Sequence, residues 1–301
     1  MASEIAVVGS ANLDIVVPVP HHPQTGETVL GGDHLQIPGG KGANQAVAAA
    51  RLGAPVSFVG MVGNDDAGHA LRESLVASGV DVSGLGVANN SPSGIALITI
   101  DADGDNAITV SPGANALVTP EVIDAHRHVL DTPVVQLQLE VPLETVTYVA
   151  EHAAGIVVLD PAPAPAQGLP RELLDATTVL VPNESELALL SSTKIDPTNV
   201  GEVVAAARSL SIDSVVVTLG ANGAVVVADG VTEHVPAPVI TPVDTTAAGD
   251  AFRSALSVAL AAGRPMIDAV EFAVRVGAAT ALTFGAQPSL PTRTEVDERL
   301  S

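Results

Sequence analysis

The sequence predicts an α/β protein: a parallel sheet covered by helices on both faces, with a small β-sheet projecting from it. Short Val/Ile-rich runs bounded by Gly, Pro or Asn recur along the chain, and Ala/Leu-rich segments of helical length separate several of them. Continuous apolar strands alternating with amphipathic helices are the pattern of a sheet buried on both sides. The projection is predicted by a group of strand-like runs that have no helix between them.

The core strands are expected at Ile5–Val8, Val56–Val62, Val134–Leu139, Ile156–Leu159, Val179–Val181 and Val215–Leu219. Ala43–Leu52, Ala67–Ser78, Leu143–His152 and Val200–Leu210 read as covering helices. Asp14–Val19, Thr28–Ile37, Ile95–Ile100 and Ala107–Val110 read as the projecting strands, and Asp103-Gly104-Asp105-Asn106 as a hairpin turn. These strands come from two separated stretches, about 14–38 and 94–111. The expectation is therefore one domain spanning 1–301 with a discontinuous β lid, placed to cover a cleft or to form a dimer contact.

Composition excludes several function classes. Twelve Lys and Arg against 34 Asp and Glu give a net charge of −22, which repels nucleic-acid backbones and anionic membranes. Four Phe, one Tyr and no Trp leave little material for stacking bases. The absence of Cys removes disulfides, thiolate zinc sites and a cysteine nucleophile. No run of 18 apolar residues is present and the start lacks a basic-then-apolar leader, so a cytoplasmic protein is expected.

Common nucleotide and metal motifs do not match. Gly9-Ser10-Ala11-Asn12 is not a dinucleotide fingerprint, so an NAD-dependent oxidoreductase is a distant reading, and Gly39-Gly40-Lys41-Gly42 is not a P-loop. His126 and His128, two residues apart, fall on different faces of a helix. Lys41 is one of two lysines and sits among glycines at a helix entrance, which fits contact with a polar substrate or, equally simply, a solvated turn. Asn12 and Asp14 by themselves are turn residues.

Val243-Asp244-Thr245-Thr246-Ala247-Ala248-Gly249-Asp250 is more informative. A strand-like approach ends in capping and small residues, and an Ala-rich helix follows through about Ala262. Small residues at a positive helix end leave N–H groups open to a phosphoryl group, with Asp250 beside them as a base or as a plain first-turn acid. Asn183 with Glu186 three residues on forms a capping box. Thr218-Leu219-Gly220-Ala221-Asn222-Gly223 follows a strand where α/β sheets bind ligands, but also reads as a hairpin turn.

Taken in order, these segments, with Gln138-Leu139-Glu140-Val141-Pro142-Leu143-Glu144 and Gly285-Ala286-Gln287-Pro288-Ser289, resemble the PfkB-type carbohydrate kinase family over essentially the whole chain. The resemblance implies the ribokinase-like α/β fold and ATP-dependent phosphorylation of D-ribose at its 5-hydroxyl. It places Asn12, Asp14, Gly40, Lys41, Asn44, Glu140 and Asp250 around the sugar, with Asp250 as the base and the N–H groups of Ala247, Ala248 and Gly249 as the anion hole. Asn183, Thr218, Gly220, Asn222, Gly223 and Gly249 fall to the nucleotide, and Glu186 to Mg²⁺ through water. Asp244, Thr246, Thr280, Thr283, Gly285 and Ser289 fall to an activating K⁺. A homodimer through the lid is implied as well.

Three places depart from the family pattern: Ala247 replaces a usual Gly, Arg253-Ser254 replaces a small or amide residue followed by Gly, and Val274 replaces a polar residue near the adenine. Arg253 is expected either to touch ATP or to face solvent. The alternatives are a kinase for another small sugar or a nucleoside, and a catalytically weak sugar-binding regulatory protein.

Overall fold

The structure is a computed structural model and describes residues 4–228 and 230–301. In chain order the elements are β1 (Ile5–Val8), β2 (Asn12–Pro18), β3 (Leu35–Gly39), α1 (Lys41–Arg51), β4 (Val56–Gly63), α2 (Asp66–Ala77), β5 (Asp81–Ala88), β6 (Gly94–Ile100) and β7 (Asn106–Ser111). There follow α3 (Pro120–Ala125), β8 (Val134–Leu137), α4 (Leu143–His152), β9 (Ile156–Leu159), α5 (Arg171–Ala176), β10 (Val179–Leu180), α6 (Glu184–Leu190) and α7 (Val200–Ser209). The chain ends with β11 (Ser214–Thr218), β12 (Ala224–Ala228), β13 (Val231–Val235), α8 (Ala248–Ala261), α9 (Met266–Thr280), α10 (Ala286–Ser289) and α11 (Arg293–Arg299).

Nine strands form the main sheet in the order β13-β12-β11-β10-β9-β8-β1-β4-β5. Neighbours are parallel except at one edge, where β12 runs antiparallel to both β11 and β13. The Thr218–Gly223 segment is thus the turn of a β-hairpin at the end of a parallel series.

Period-2 alternation divides the core between two faces. Ile5 and Val7 pack into one apolar cluster with α1, α2, α8 and α9, whereas Ala6 and Val8 pack into a second with α3, α4, α6 and α7. All four residues are fully buried. The uninterrupted apolar spelling of the strands follows from this double coverage.

The second sheet is four-stranded, ordered β3-β2-β6-β7, from the two chain stretches that lacked helices. The β6–β7 hairpin turns through Asp103-Gly104-Asp105, with Gly104 N donating to Asp101 O at 3.1 Å. The expected strand at Thr28–Ile37 is shorter. Pairing with β2 begins at Val16↔Leu35, and residues 28–34 have no partner strand; two low-propensity glycines and an 89% exposed Leu30 lie there. The approach to the Ala247 helix is likewise a loop and not a strand, because Pro236, Pro238 and Pro242 remove ladder donors. His126 and His128 do not share a helix at all: His126 ends α3 and His128 lies in the 3₁₀ turn Arg127–Asp131.

Candidate active site

The carboxyl ends of the parallel strands carry the site, as expected of an open α/β sheet. After β1 the chain turns through Gly9–Ala11 into β2, on which Asn12 and Asp14, two residues apart, share one face. Asn12 is fixed by a residue not identified from sequence: Asn115 Nδ2 donates to Asn12 Oδ1 at 2.7 Å, and its own Oδ1 accepts from Ala11 N at 2.9 Å. Gly40 caps α1 with φ +88°, and a Cβ there would lie 2.6 Å from Asn12 N, so glycine is required by both conformation and space. Lys41 opens α1. Its N–H and the Ser10 hydroxyl both donate to Glu140 Oε2, at 3.0 and 2.5 Å.

Asp250 sits in the first turn of α8 and is 6% exposed. Asn44 Nδ2 donates to its Oδ2 at 3.1 Å and Gln45 Nε2 to its Oδ1 at 3.0 Å. The same Gln45 nitrogen donates to Asp160 Oδ2 at 2.9 Å, and Gln45 Oε1 accepts from Gln136 Nε2 at 2.8 Å and from Gln138 Nε2 at 2.5 Å. Asp160, Gln136 and Gln138 thus lock the base in place through one side chain, Gln45. Ser254 adds to the brace, its hydroxyl lying 2.9 Å from Gln45 O and 2.8 Å from Asp250 O.

The electrostatics are those of crowded carboxylates around one ammonium. Burial, then Glu140, then Asp250, push Asp14 up to about 7. Burial also raises Asp250 above the usual carboxylate range, with Lys41 opposing. Burial disfavours the Lys41 ammonium, but the Asp160 and Asp250 carboxylates outweigh it and hold Lys41 above its usual value. Lys41 Nζ lies 3.6 Å from Asp160 Oδ2.

A cavity of about 310 Å³ opens between this cluster and the small sheet. Asn12, Asp14, Gly40, Lys41, Asn44, Glu140 and Asp250, all seven residues expected at the sugar, line it. Ile98, Ile108 and Val110 of the small sheet and the 244–247 and 284–286 loops complete the wall. Asn44 Oδ1 is buried without a hydrogen-bond partner among the described residues, an acceptor open to a donor from a ligand.

Ala247, with φ +60° and ψ 3°, adopts the left-handed conformation that precedes α8. Ala248 N donates to Thr245 O at 3.1 Å, closing a turn, so of the three expected anion-hole donors this one is already engaged. The N–H groups of Ala247 and Gly249 make no hydrogen bond among the described residues.

On the other side, Asn183 caps α6 in a reciprocal box with Glu186 and bridges in parallel to Thr218. This brings the Gly220–Asn222 turn, with Gly223 at its end, beside the Asn183 loop at the same sheet edge. Glu186 Oε2 accepts from Asn183 N at 2.8 Å and from Arg253 Nη2 at 3.3 Å. Burial raises the Glu186 pKa, against the pull of Arg253. Arg253 does not face solvent, being 4% exposed; Val274 is a core residue at 6%.

The six residues expected at a monovalent cation do not behave alike. The Asp244 carboxylate joins two loops, accepting from Thr246 N at 2.9 Å and Gly285 N at 2.8 Å, with Thr283 two residues before Gly285 in the second loop. Thr280 and Ser289 are fully buried, and their hydroxyls donate to Val276 O and Ala286 O within their own helices. The Ser289 carbonyl also accepts from Arg299 Nη1 at 3.1 Å.

Comparison with known proteins agrees with this arrangement. A family model described as pfkB family carbohydrate kinase matches residues 2–293. The chain is 40% identical over 301 residues to the ribokinase of Bacillus subtilis, covering 99% of each. Its structure is similar to ribokinase from Thermotoga maritima, with a TM-score of 0.89 at 39% identity over 99% of both chains. It is similar also to Arabidopsis thaliana ribokinase complexed with ribose and ATP, with a TM-score of 0.90 at 34% identity, covering 100% of this chain and 99% of that one. A family match over nearly the full length, on a fold whose polar cluster stands at the expected sheet edge, establishes that the chain belongs to the pfkB family of carbohydrate kinases.

Proposed function

We propose that this protein is an ATP-dependent ribokinase that phosphorylates D-ribose at its 5-hydroxyl. The observation that carries the reading is the cavity lined by seven sugar-directed residues, with Asp250 on its wall and at the start of α8. Carboxylates at 14 and 140 accept sugar hydroxyls, Lys41 donates, and the unpartnered Asn44 Oδ1 takes one hydroxyl that would otherwise stay in water. A sugar that lacks a matching hydroxyl leaves such a group unpaired, which is how a site of this kind selects.

In the reaction Asp250 takes the proton of the ribose 5-hydroxyl. The oxygen then bonds to the γ-phosphorus of ATP while the bond to the β,γ-bridging oxygen breaks, that oxygen leaving on ADP with the electron pair. Gly249 and Ala247 N–H groups and the positive end of α8 hold charge on the transferred group. Asn183 and the Thr218–Gly223 loop lie where the nucleotide phosphates would run.

Among the described residues no group of three metal-ligating side chains stands ready. That suits Mg²⁺, which keeps waters and binds through one or two carboxylates plus substrate phosphates. Glu186 fits this role because its Oε1 makes no hydrogen bond among the described residues, and Mg²⁺ when bound supplies charge neutralisation to the phosphates. The two loops that Asp244 joins carry the carbonyls of Thr246, Thr283 and Gly285, oxygen donors of the kind that suits K⁺. Thr280 and Ser289, buried at the ends of α9 and α10, flank the second of these loops in sequence. The small sheet acts as a lid, and its face away from the cavity, where the exposed Leu97 stands opposite Ile15, is the surface through which two copies would pair.

A panel of D-ribose, 2-deoxy-D-ribose, D-fructose and adenosine, ranked by kcat/KM with MgATP, tests the assignment. Ribose should lead by at least tenfold, and a higher value for any other member overturns it.

A further inference from the structure

We propose that Arg253 is a catalytic residue of the phosphoryl transfer, its Nη1 donating to a non-bridging oxygen of the transferred group at the start of α8. The proposal rests on the kinase reading above and adds a donor to it. Arg253 lies one turn beyond Asp250 on α8 and is 4% exposed. A guanidinium taken so far from water is costly unless it is paired and its N–H groups are used.

Most of it is used. Nε donates to Val181 O at 3.0 Å, with Asp160 Oδ1 also 3.0 Å away; Nε has a single hydrogen, so the Asp160 contact is one of charge. Asp160 Oδ1 accordingly has no hydrogen bond among the described residues. Nη2 donates to Glu186 Oε2 at 3.3 Å. These partners come from the ends of β9 and β10 and from α6, three different elements, and they fix the plane of the group.

Nη1 is what remains. Neither of its hydrogens has a partner among the described residues. It points at the helix start: a Cβ on Gly249 would lie 2.6 Å from it. Gly249 has ordinary helical backbone, so its lack of a side chain serves space and not conformation, and the space is filled by this nitrogen. The unpaired N–H groups of Nη1 and Gly249 therefore stand together, between Asp250 on one side and Glu186 on the other. An arginine held only for structure is satisfied by the partners of Nε and Nη2; Nη1 is left as an open donor beside the open N–H of Gly249.

The consequence is chemical. As the ribose oxygen gives its proton to Asp250 and bonds to the γ-phosphorus, and the bridging oxygen departs on ADP, charge spreads over the non-bridging oxygens. A delocalised cation in a site shielded from water stabilises that charge far more than an exposed one does. The protein has only two lysines, and Lys41 is directed at Asp160 on the sugar side. Arg253 is thus the cation that faces the nucleotide side of the α8 start in a chain of net charge −22.

Arg253→Lys and Arg253→Ala are measured with saturating ribose and MgATP, after circular dichroism and melting establish that each is folded. For Arg253→Lys, which keeps a charge beside Asp160 and Glu186, kcat should fall about 10²-fold with the ribose KM within about twofold of wild type. Guanidinium chloride at millimolar concentration should restore Arg253→Ala at least tenfold, and methylammonium chloride should not. If Arg253→Lys keeps kcat within about threefold of wild type, or loses ribose binding by calorimetry in step with kcat, the residue is structural and the proposal is overturned. A folded Arg253→Ala protein indifferent to guanidinium overturns it also; should that variant not fold, Arg253→Lys decides alone. Wild-type enzyme without ribose-dependent ADP release would instead overturn the kinase reading, a separate outcome of the same assay.

Discussion

Replacing Gln45 by Leu should cost both stability and turnover, because one fully buried amide ties together four polar groups. Its Nε2 forks between Asp160 Oδ2 and Asp250 Oδ1, and its Oε1 receives Gln136 and Gln138. Leucine fills similar space, so cavity formation is minor and the loss is polar. Each buried group left unpaired costs about 1–3 kcal/mol, which for four groups gives a loss of at least about 4 kcal/mol. At about 2 °C per kcal/mol for a chain of this size, the melting temperature should fall by about 8 °C or more.

The catalytic part follows from geometry. Asp250 would keep only the Asn44 bond, so its carboxylate could rotate away from the sugar hydroxyl, and misplaced reacting groups lose about 10²-fold in rate. Gln45→Glu sharpens the test: it still accepts from Gln136 and Gln138 but turns a negative oxygen toward two carboxylates, and should be no better than Gln45→Leu. Differential scanning calorimetry and a coupled ADP assay read both effects. A Gln45→Leu protein that melts within about 1 °C of wild type and keeps kcat within twofold would refute the idea that this amide holds the base.

Three further outcomes are expected. Asp250→Asn keeps the shape but cannot accept the proton, so kcat should fall about 10²–10⁴-fold with ribose binding nearly unchanged; retention of more than a tenth of wild-type kcat would remove Asp250 from the role of base. Asp14, held near 7 when folded against 3.8 as its ordinary value, keeps a proton on the folded protein that the unfolded chain has released. Its contribution to stability is present below about pH 4 and lost as the pH rises to about 7, and the part lost between pH 5 and 8 is about 3 kcal/mol. The melting temperature of Asp14→Asn relative to wild type should therefore be higher at pH 8 than at pH 5, and a difference independent of pH would contradict the raised value. Asp244→Ala disconnects the Thr246 and Gly285 loops and should abolish the gain in kcat from KCl over NaCl at constant ionic strength, leaving ribose affinity little changed; equal rates in the two salts for wild type would defeat the cation reading.

The main sheet was legible because strands buried on both faces have continuous apolar spelling. The strands Ile5–Val8 and Ile156–Leu159 and the helix Leu143–His152 have the bounds read from sequence. β12 and β13 were not marked in advance: Ala224–Ala228 carries the same apolar spelling as the other core strands and was overlooked behind the Asn222-Gly223 turn, whereas the polar, mostly exposed Val231–Val235 carries no such signal. The sugar-side residues were found by resemblance, and locally each had an equally good ordinary explanation. Gln45, Asp160, Asn115 and the Gln136–Gln138 pair were missed because their role exists only where separate elements meet. A signal was present: two glutamines two residues apart inside an apolar parallel strand point to one face, where burial demands partners. The sequence left Arg253 open between ATP and solvent because helical position alone does not reveal two acids arriving from β9 and α6.

The central claim, transfer of the γ-phosphoryl group of ATP to the 5-hydroxyl of ribose, is tested most directly by product analysis. Purified protein incubated with D-ribose, MgATP and KCl should release ADP in equal amount to a new sugar phosphate whose ³¹P signal is split by the two protons on carbon 5. ADP release that does not depend on ribose, or a phosphate carried on any other ribose oxygen, would contradict the account.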